Sequence, residues 1–322
     1  MPAEQPKSQH FVHRAYLEGF QDPLLLQNKK RAVWLYMPGK KPLPQAPERL
    51  AKRNYYYCHS QENKRQFLAE DVLQKLEDAT LPILNRVRNT DFALGPQDRL
   101  TFAGYVALSY TRVPTFERFV NHIAALNSAK QLEHIATNRS ALEWAVAEME
   151  KESGEKIDAD EYLKKLTGGS VYAEQTDRAW SLKQMFESML TLQKDIYRMF
   201  WTFLIAPGRD DGFLTSDNPV AFFHPAGGMN DRIGSATLAA PHFTFPICKE
   251  ICLLIQPFRN PSQVELNASD VRQVNRGTIT RADGQLYAPF NSGAVQALFD
   301  KINKQTKRPR RVLLRHGRVV VE

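Results

Sequence analysis

Gly212-Phe213-Leu214-Thr215-Ser216-Asp217-Asn218-Pro219-Val220-Ala221-Phe222-Phe223 sets an acidic and an amide side chain between two apolar, strand-like runs. Asn218 precedes a proline, which pushes its backbone toward extended geometry. Asp217 therefore sits where the chain is leaving one strand for the next. Two readings of this turn stand side by side. In one, Asp217 or Asn218 hydrogen-bonds its own backbone and ends a strand; in the other, the fixed carboxylate serves chemistry.

The stretch also marks a change of texture. Upstream, from about 66 to 206, the segments 67–87, 98–112, 114–136, 139–152 and 181–205 have helical periodicity, with a charged break at 153–170. Downstream, short β-rich segments at 213–215, 220–223, 242–247, 251–256 and 285–288 are interrupted by helices at 268–279 and 292–305, and residues 311–321 read as a hairpin around His316-Gly317. Near the amino terminus, residues 9–20 read as a helix and 32–36 as a strand, while the proline-rich run 38–47 reads as an irregular loop. The fold class expected is α+β: a mixed β-sheet unit built from both chain ends, 1–65 and 207–322, with a large inserted helical block at 66–206.

The chain has 322 residues, 43% hydrophobic and 24% charged, enough to bury a substantial core. The apolar run 199–206 is far short of the roughly 20 residues that span a bilayer, and the first nine residues have no apolar stretch of a secretory signal. These features point to a cytoplasmic protein with no membrane partner. Cys248 and Cys252 are four apart in a strand-like run, which places both thiols on one face as small buried hydrophobes. No second Cys or His pair accompanies them at zinc-ligand spacing. A stripe of Trp144, Trp180 and Trp201 reads as core.

The net charge of +8 is uneven: residues 1–65 carry 12 basic and 5 acidic side chains, and residues 301–322 carry 8 and 1. Two basic ends flank an acidic middle, which favours polyanions such as nucleic acid or nucleotides. Lys304, Lys307, Arg308, Arg310 and Arg311 are dense enough for phosphate contacts that need charge more than exact placement. Tyr55-Tyr56-Tyr57 beside Lys52 and Arg53 either stacks on bases or packs into the core. There is no phosphate-cradling glycine loop and no Gly-x-Ser-x-Gly elbow.

Short motifs spread across the chain carry a resemblance. They are His10-Phe11-Val12 with Tyr16-Leu17 and Phe20, Glu77, Arg112-Val113-Pro114, Thr215 to Val220, Phe245-Pro246, and Val274-Asn275 ahead of Tyr287-Ala288. In this order they resemble the uncharacterised bacterial domain-of-unknown-function family 4238. That family usually has proline where this chain has His13, so the resemblance gives no support to a His10/His13 metal pair.

The matched positions supply His10, Glu77, Arg112, Asp217, Asn218 and Asn275, an inventory that suits phosphodiester cleavage. Asp217 and Glu77 would hold a divalent Mg or Mn ion, Arg112 would clamp a phosphate, and His10 would act as general base or third ligand. A shared site requires His10 close to Asp217. Each residue also has a structural reading, with His10 satisfying a helix end, Glu77 pairing with Arg86 or Arg88, and Arg112 bonding a helix carboxyl end. The function expected is a metal-dependent phosphodiester or nucleotide hydrolase, nuclease-like, serving as a toxic or antiphage defence effector. The alternative is a non-catalytic nucleic-acid-binding or adaptor protein that offers its helical block to a protein partner.

Overall fold

The structure, a computed structural model, describes residues 8–61, 64–66, 68–172, 178–208, 212–223, 242–305 and 312–321. The architecture is α+β. A five-stranded sheet runs in the order Ala221–Phe223, His242–Pro246, Ile251–Gln256, Phe200–Ile205, Gln263–Glu265, antiparallel except for the last pair. A four-stranded sheet joins the two halves of the chain, in the order Leu43–Gln45, Val33–Tyr36, Leu286–Ala288, Thr215–Ser216. The early strand Val33–Tyr36 thus shares a sheet with two of the late strands, Leu286–Ala288 and Thr215–Ser216, while the other late strands lie in the five-stranded sheet. The helices Leu68–Arg88, Pro96–Thr111, Pro114–Thr137, Arg139–Ser153, Ala159–Thr167 and Arg178–Arg198 form the inserted helical stretch.

Local chemistry accounts for the element ends. Asn267 accepts from the amides of Ser269 and Asp270 while Asp270 accepts from Asn267, a reciprocal cap that starts the helix Ala268–Arg281. Asn138 and Asp158 cap two further helices, and Gly154, at φ +72°, ends Arg139–Ser153 in the left-handed conformation that glycine adopts without strain. His316 and Gly317, both at positive φ, close the hairpin Val312–Arg315/Arg318–Val321.

The structure departs from the sequence reading in several places. Residues 200–205 form a strand next to the edge of the five-stranded sheet, although the sequence periodicity predicts helix through 205. A strand buried on both faces loses its alternation and looks like a buried helix. Inside the proline-rich run, Leu43–Gln45 is a strand; it lies at the sheet edge, where Pro44 removes no ladder bond that the sheet needs. Residues 9–20 are not one helix but the strand Ser8–His10, the helix Arg14–Leu17 and a 3-10 turn. Cys248 lies in the turn between two strands rather than on a strand face with Cys252, although both are buried and free. Trp201 is buried, but Trp144 is 67% exposed.

The chain divides into two compact units: Met1–Phe116 with Leu182–Thr306, and Glu117–Ser181 with Lys307–Glu322. In the second, the C-terminal hairpin extends into a three-stranded sheet with Ser170–Tyr172. In the first, two apolar cores flank the helix Ala268–Arg281. Leu204, Phe213, Cys252, Leu254, Leu266, Val271 and Val274 make one. Tyr36, Leu214, Ile279, Leu286, Ala288 and Phe299 make the other. Phe213 and Leu214 are neighbours in sequence and enter different cores, as alternation along extended chain requires. Among the described residues no helix is long and apolar enough to cross a membrane.

Candidate functional site

Asp217 follows the strand Thr215–Ser216, which pairs with Leu286–Ala288. Its carboxylate reaches the residues that lead into the partner strand. Oδ1 accepts from the Asp283 amide at 2.8 Å, and Oδ2 accepts from the amides of Gly284 and Gln285 at 2.9 Å each. The Asp217 amide returns a bond to the Gln285 carbonyl at 3.1 Å. The turn is therefore fixed by a partner segment distant in sequence, not by Asp217 folding back on its own backbone. Burial pushes the Asp217 carboxyl up to about 7, against the three amides that favour its charged form.

Two amides brace the same region. Asn275 Oδ1 accepts from the Leu214 amide at 2.8 Å and its Nδ2 donates to the Gly212 carbonyl at 2.9 Å, so a helix side chain completes the hydrogen bonding of this extended stretch. Asn218 Nδ2 donates to the Arg281 carbonyl at 3.1 Å, at the end of the same helix. Ser216 Oγ donates to the Asn218 carbonyl and accepts from the Asn218 amide.

Asp217 borders a cleft of about 470 Å³ within the first unit. Asp283, Gly284 and Gln285 form its wall beside Asp217, and Phe11, Leu35, Leu50 and Pro114 contribute apolar surface. Lys40, Arg49, Lys52 and Arg53 line it as well; all four are exposed and none forms an ion pair among the described residues. The Arg53 guanidinium lies 5.8 Å from the centre of the Phe11 ring and 5.7 Å from that of Tyr56. Ala51, between Leu50 and Lys52 on this wall, holds φ at +46°, a conformation costing a side-chain-bearing residue roughly 1–2 kcal/mol. Its carbonyl accepts from the Phe11 amide at 2.8 Å, which ties that strained point to the floor of the cleft.

Arg112 is 4% exposed and every nitrogen of its guanidinium is engaged. Nε donates to the Tyr57 hydroxyl at 2.9 Å, one terminal nitrogen donates to Glu77, and the other donates to the His10 carbonyl. The arginine that was expected to clamp a phosphate instead clamps the chain, binding the strand Ser8–His10 whose His10 pairs with Lys52. Burial alone would raise the Glu77 carboxyl, but the Arg112 guanidinium holds it below its ordinary value. His13 donates or accepts with the Tyr105 hydroxyl at 3.1 Å, and burial lowers it to about 4, so it is neutral at pH 7. Arg86 pairs with Asp91 and Asp98, and Arg88 donates to the carbonyls of Ala15 and Tyr16, so neither is the partner of Glu77.

The six residues singled out in the sequence thus fall into two groups. His10, Glu77 and Arg112 make one network, while Asp217, Asn218 and Asn275 brace the 212–218 stretch. The hydrogen bonds and ion pairs of Asp217 and of Glu77 share no residue. Half-buried His10 is held to the Glu48 carbonyl at 3.3 Å and its pKa is lowered by burial. Its strand partner Lys52 lines the cleft that Asp217 borders. Among the described residues no group of three or more His, Cys, Asp or Glu side chains is placed to hold a metal ion. Lys304 is exposed on the last turn of Gly293–Gln305; Lys307, Arg308, Arg310 and Arg311 lie outside the described residues. Lys52 and Arg53 stand out in the sequence beside Tyr55-Tyr56-Tyr57, whereas Lys40 and Arg49, scattered among prolines, have only the excess of basic residues in 1–65 as a signal.

Fold and site together define an α+β protein with a basic cleft bordered by a buried aspartate. The chain belongs to the family described as "Protein of unknown function (DUF4238)", which matches residues 8–289. No match was found among curated proteins or among solved structures.

Proposed function

We propose that the cleft binds a phosphate-bearing ligand of the nucleotide or nucleic-acid class. The observation that carries this reading is the convergence of Lys40, Arg49, Lys52 and Arg53 on one concavity without acidic partners among the described residues. A volume near 470 Å³ falls within the roughly 300–1,000 Å³ of small-molecule sites. Unpaired cations over an apolar floor suit an anion with a flat, apolar body. The test is titration of a labelled ten-nucleotide RNA against wild type and the Arg49→Ala/Lys52→Ala double variant over a range of salt. Loss of two phosphate contacts should reduce the log–log salt slope by about 1.4, at roughly 0.7 per contact for a single strand. Equal affinity and equal slope in both proteins would refute the reading.

A second reading, hydrolysis of the bound phosphodiester, is favoured by Asp217 and Asp283 bordering the same cleft. Asp283, with Asp217, would hold a divalent Mg or Mn ion that would supply an activated water, and the Asp217 carboxyl near neutrality suits proton transfer. In this reading Asp283, rather than the arginine-paired Glu77, is the second carboxylate. Incubation of labelled RNA and DNA with Mg²⁺ or Mn²⁺ tests it: turnover abolished by chelator and by Asp283→Asn supports hydrolysis, and salt-sensitive binding without turnover supports a binding protein.

A further inference from the structure

The proposal that follows rests on the phosphate-binding reading of the cleft and narrows its ligand. A protein that holds a nucleic-acid strand offers a charged track with several aromatic faces on which successive bases stack. This cleft offers one such platform. Among the described residues Phe11 is the one aromatic side chain that lines it, and the Arg53 guanidinium lies over that ring. Guanidinium planes stack on bases as aromatic rings do.

The remaining charge also suits a small ligand. Four cationic side chains, Lys40, Arg49, Lys52 and Arg53, and two carboxylates, Asp217 and Asp283, share the lining. That balance suits a terminal phosphate carrying two negative charges better than a long polyanion. The strained Ala51 and the pairing of His10 with Lys52 and of Gln9 with Arg53 hold the cationic strand Lys52–Asn54 in place before any ligand arrives. A fixed wall of this kind favours a small ligand by reducing what must be ordered on binding.

We propose that the cleft is a mononucleotide site, with the terminal phosphate on the basic wall and a single base stacked on the Arg53–Phe11 pair.

Calorimetric titration of the full chain with AMP, GMP, CMP, UMP and ribose 5-phosphate, beside a ten-nucleotide RNA and a duplex DNA of equal length, tests this. One mononucleotide per chain should bind, and at least one nucleotide should bind more tightly than ribose 5-phosphate. In Arg53→Lys, which keeps the charge and removes the plane, the ratio of nucleotide to ribose 5-phosphate affinity should fall roughly tenfold. RNA or duplex binding with no mononucleotide binding would overturn the inference while leaving the phosphate-binding reading intact. An unchanged ratio in Arg53→Lys would overturn the stacking assignment. No binding of any of these probes would overturn the reading on which the inference rests.

Discussion

Asp217 shows how one side chain can be legible as important and misread as to why. Its sequence context announces a placed carboxylate, but the partners that place it, the amides of 283–285, are separated from it by more than sixty residues and carry no mark in the sequence. In Asp217→Asn, one acceptor oxygen becomes an amide nitrogen facing backbone N–H groups. The expected loss is about 1–3 kcal/mol, read from the midpoint of urea unfolding. The pH dependence has a definite sign. Because burial raises the folded carboxyl to about 7, above its unfolded value, its stabilising contribution is complete below about pH 4 and is lost as pH rises through about 7. The stability of wild type relative to Asp217→Asn should therefore fall between about pH 4 and pH 7 and level off above that. Taking the difference removes other groups such as His13, whose lowered pKa acts in the opposite direction. Arg112 is the second instance: sequence reading picked out Arg112 and Glu77 and could not show that they pair with each other. Glu77→Ala leaves the Arg112 guanidinium buried without its counter-charge and should cost about 3–5 kcal/mol, whereas the double replacement Glu77→Leu/Arg112→Leu should cost less than the two single changes together.

At the scale of the element, the helix Ala268–Arg281 was legible in the sequence as helix over 268–279, and its Asn267 cap fixes that start in the structure. The strand Phe200–Ile205 was not, because burial on both faces erases the alternation that distinguishes it from the helix before it. Gly277 shows what periodicity omits. It lies mid-helix, where glycine is about 1 kcal/mol worse than alanine, yet an added Cβ would approach the Phe223 ring to 2.7 Å. Gly277→Ala should therefore destabilise by about 1–3 kcal/mol despite its better helix propensity, as overpacking does. Gly293, at the start of the following helix, has open space where a Cβ would stand and φ outside the left-handed region. Gly293→Ala should be neutral or slightly stabilising when both variants are compared by the midpoint of urea unfolding, and a loss equal to that of Gly277→Ala would show that packing against Phe223 is not the cause.

For the molecule, strands from both ends flank a long helical stretch, a texture that points to a sheet shared by the two ends; Leu286–Ala288 and Thr215–Ser216 do join Val33–Tyr36, whereas the remaining late strands belong to a separate five-stranded sheet. The cleft was not legible: of its cations only Lys40 falls in the run read as irregular loop, Lys52 and Arg53 stand on a short strand that pairs with Ser8–His10, and nothing in the sequence marks their convergence with Asp217. That convergence makes the central claim directly testable. Crystals of the protein grown with saturating AMP should show the phosphate within ion-pair distance of at least two of Lys40, Arg49, Lys52 and Arg53, with the base against Arg53. Nucleotide bound elsewhere on the molecule, with the cleft filled only by solvent, would contradict the account.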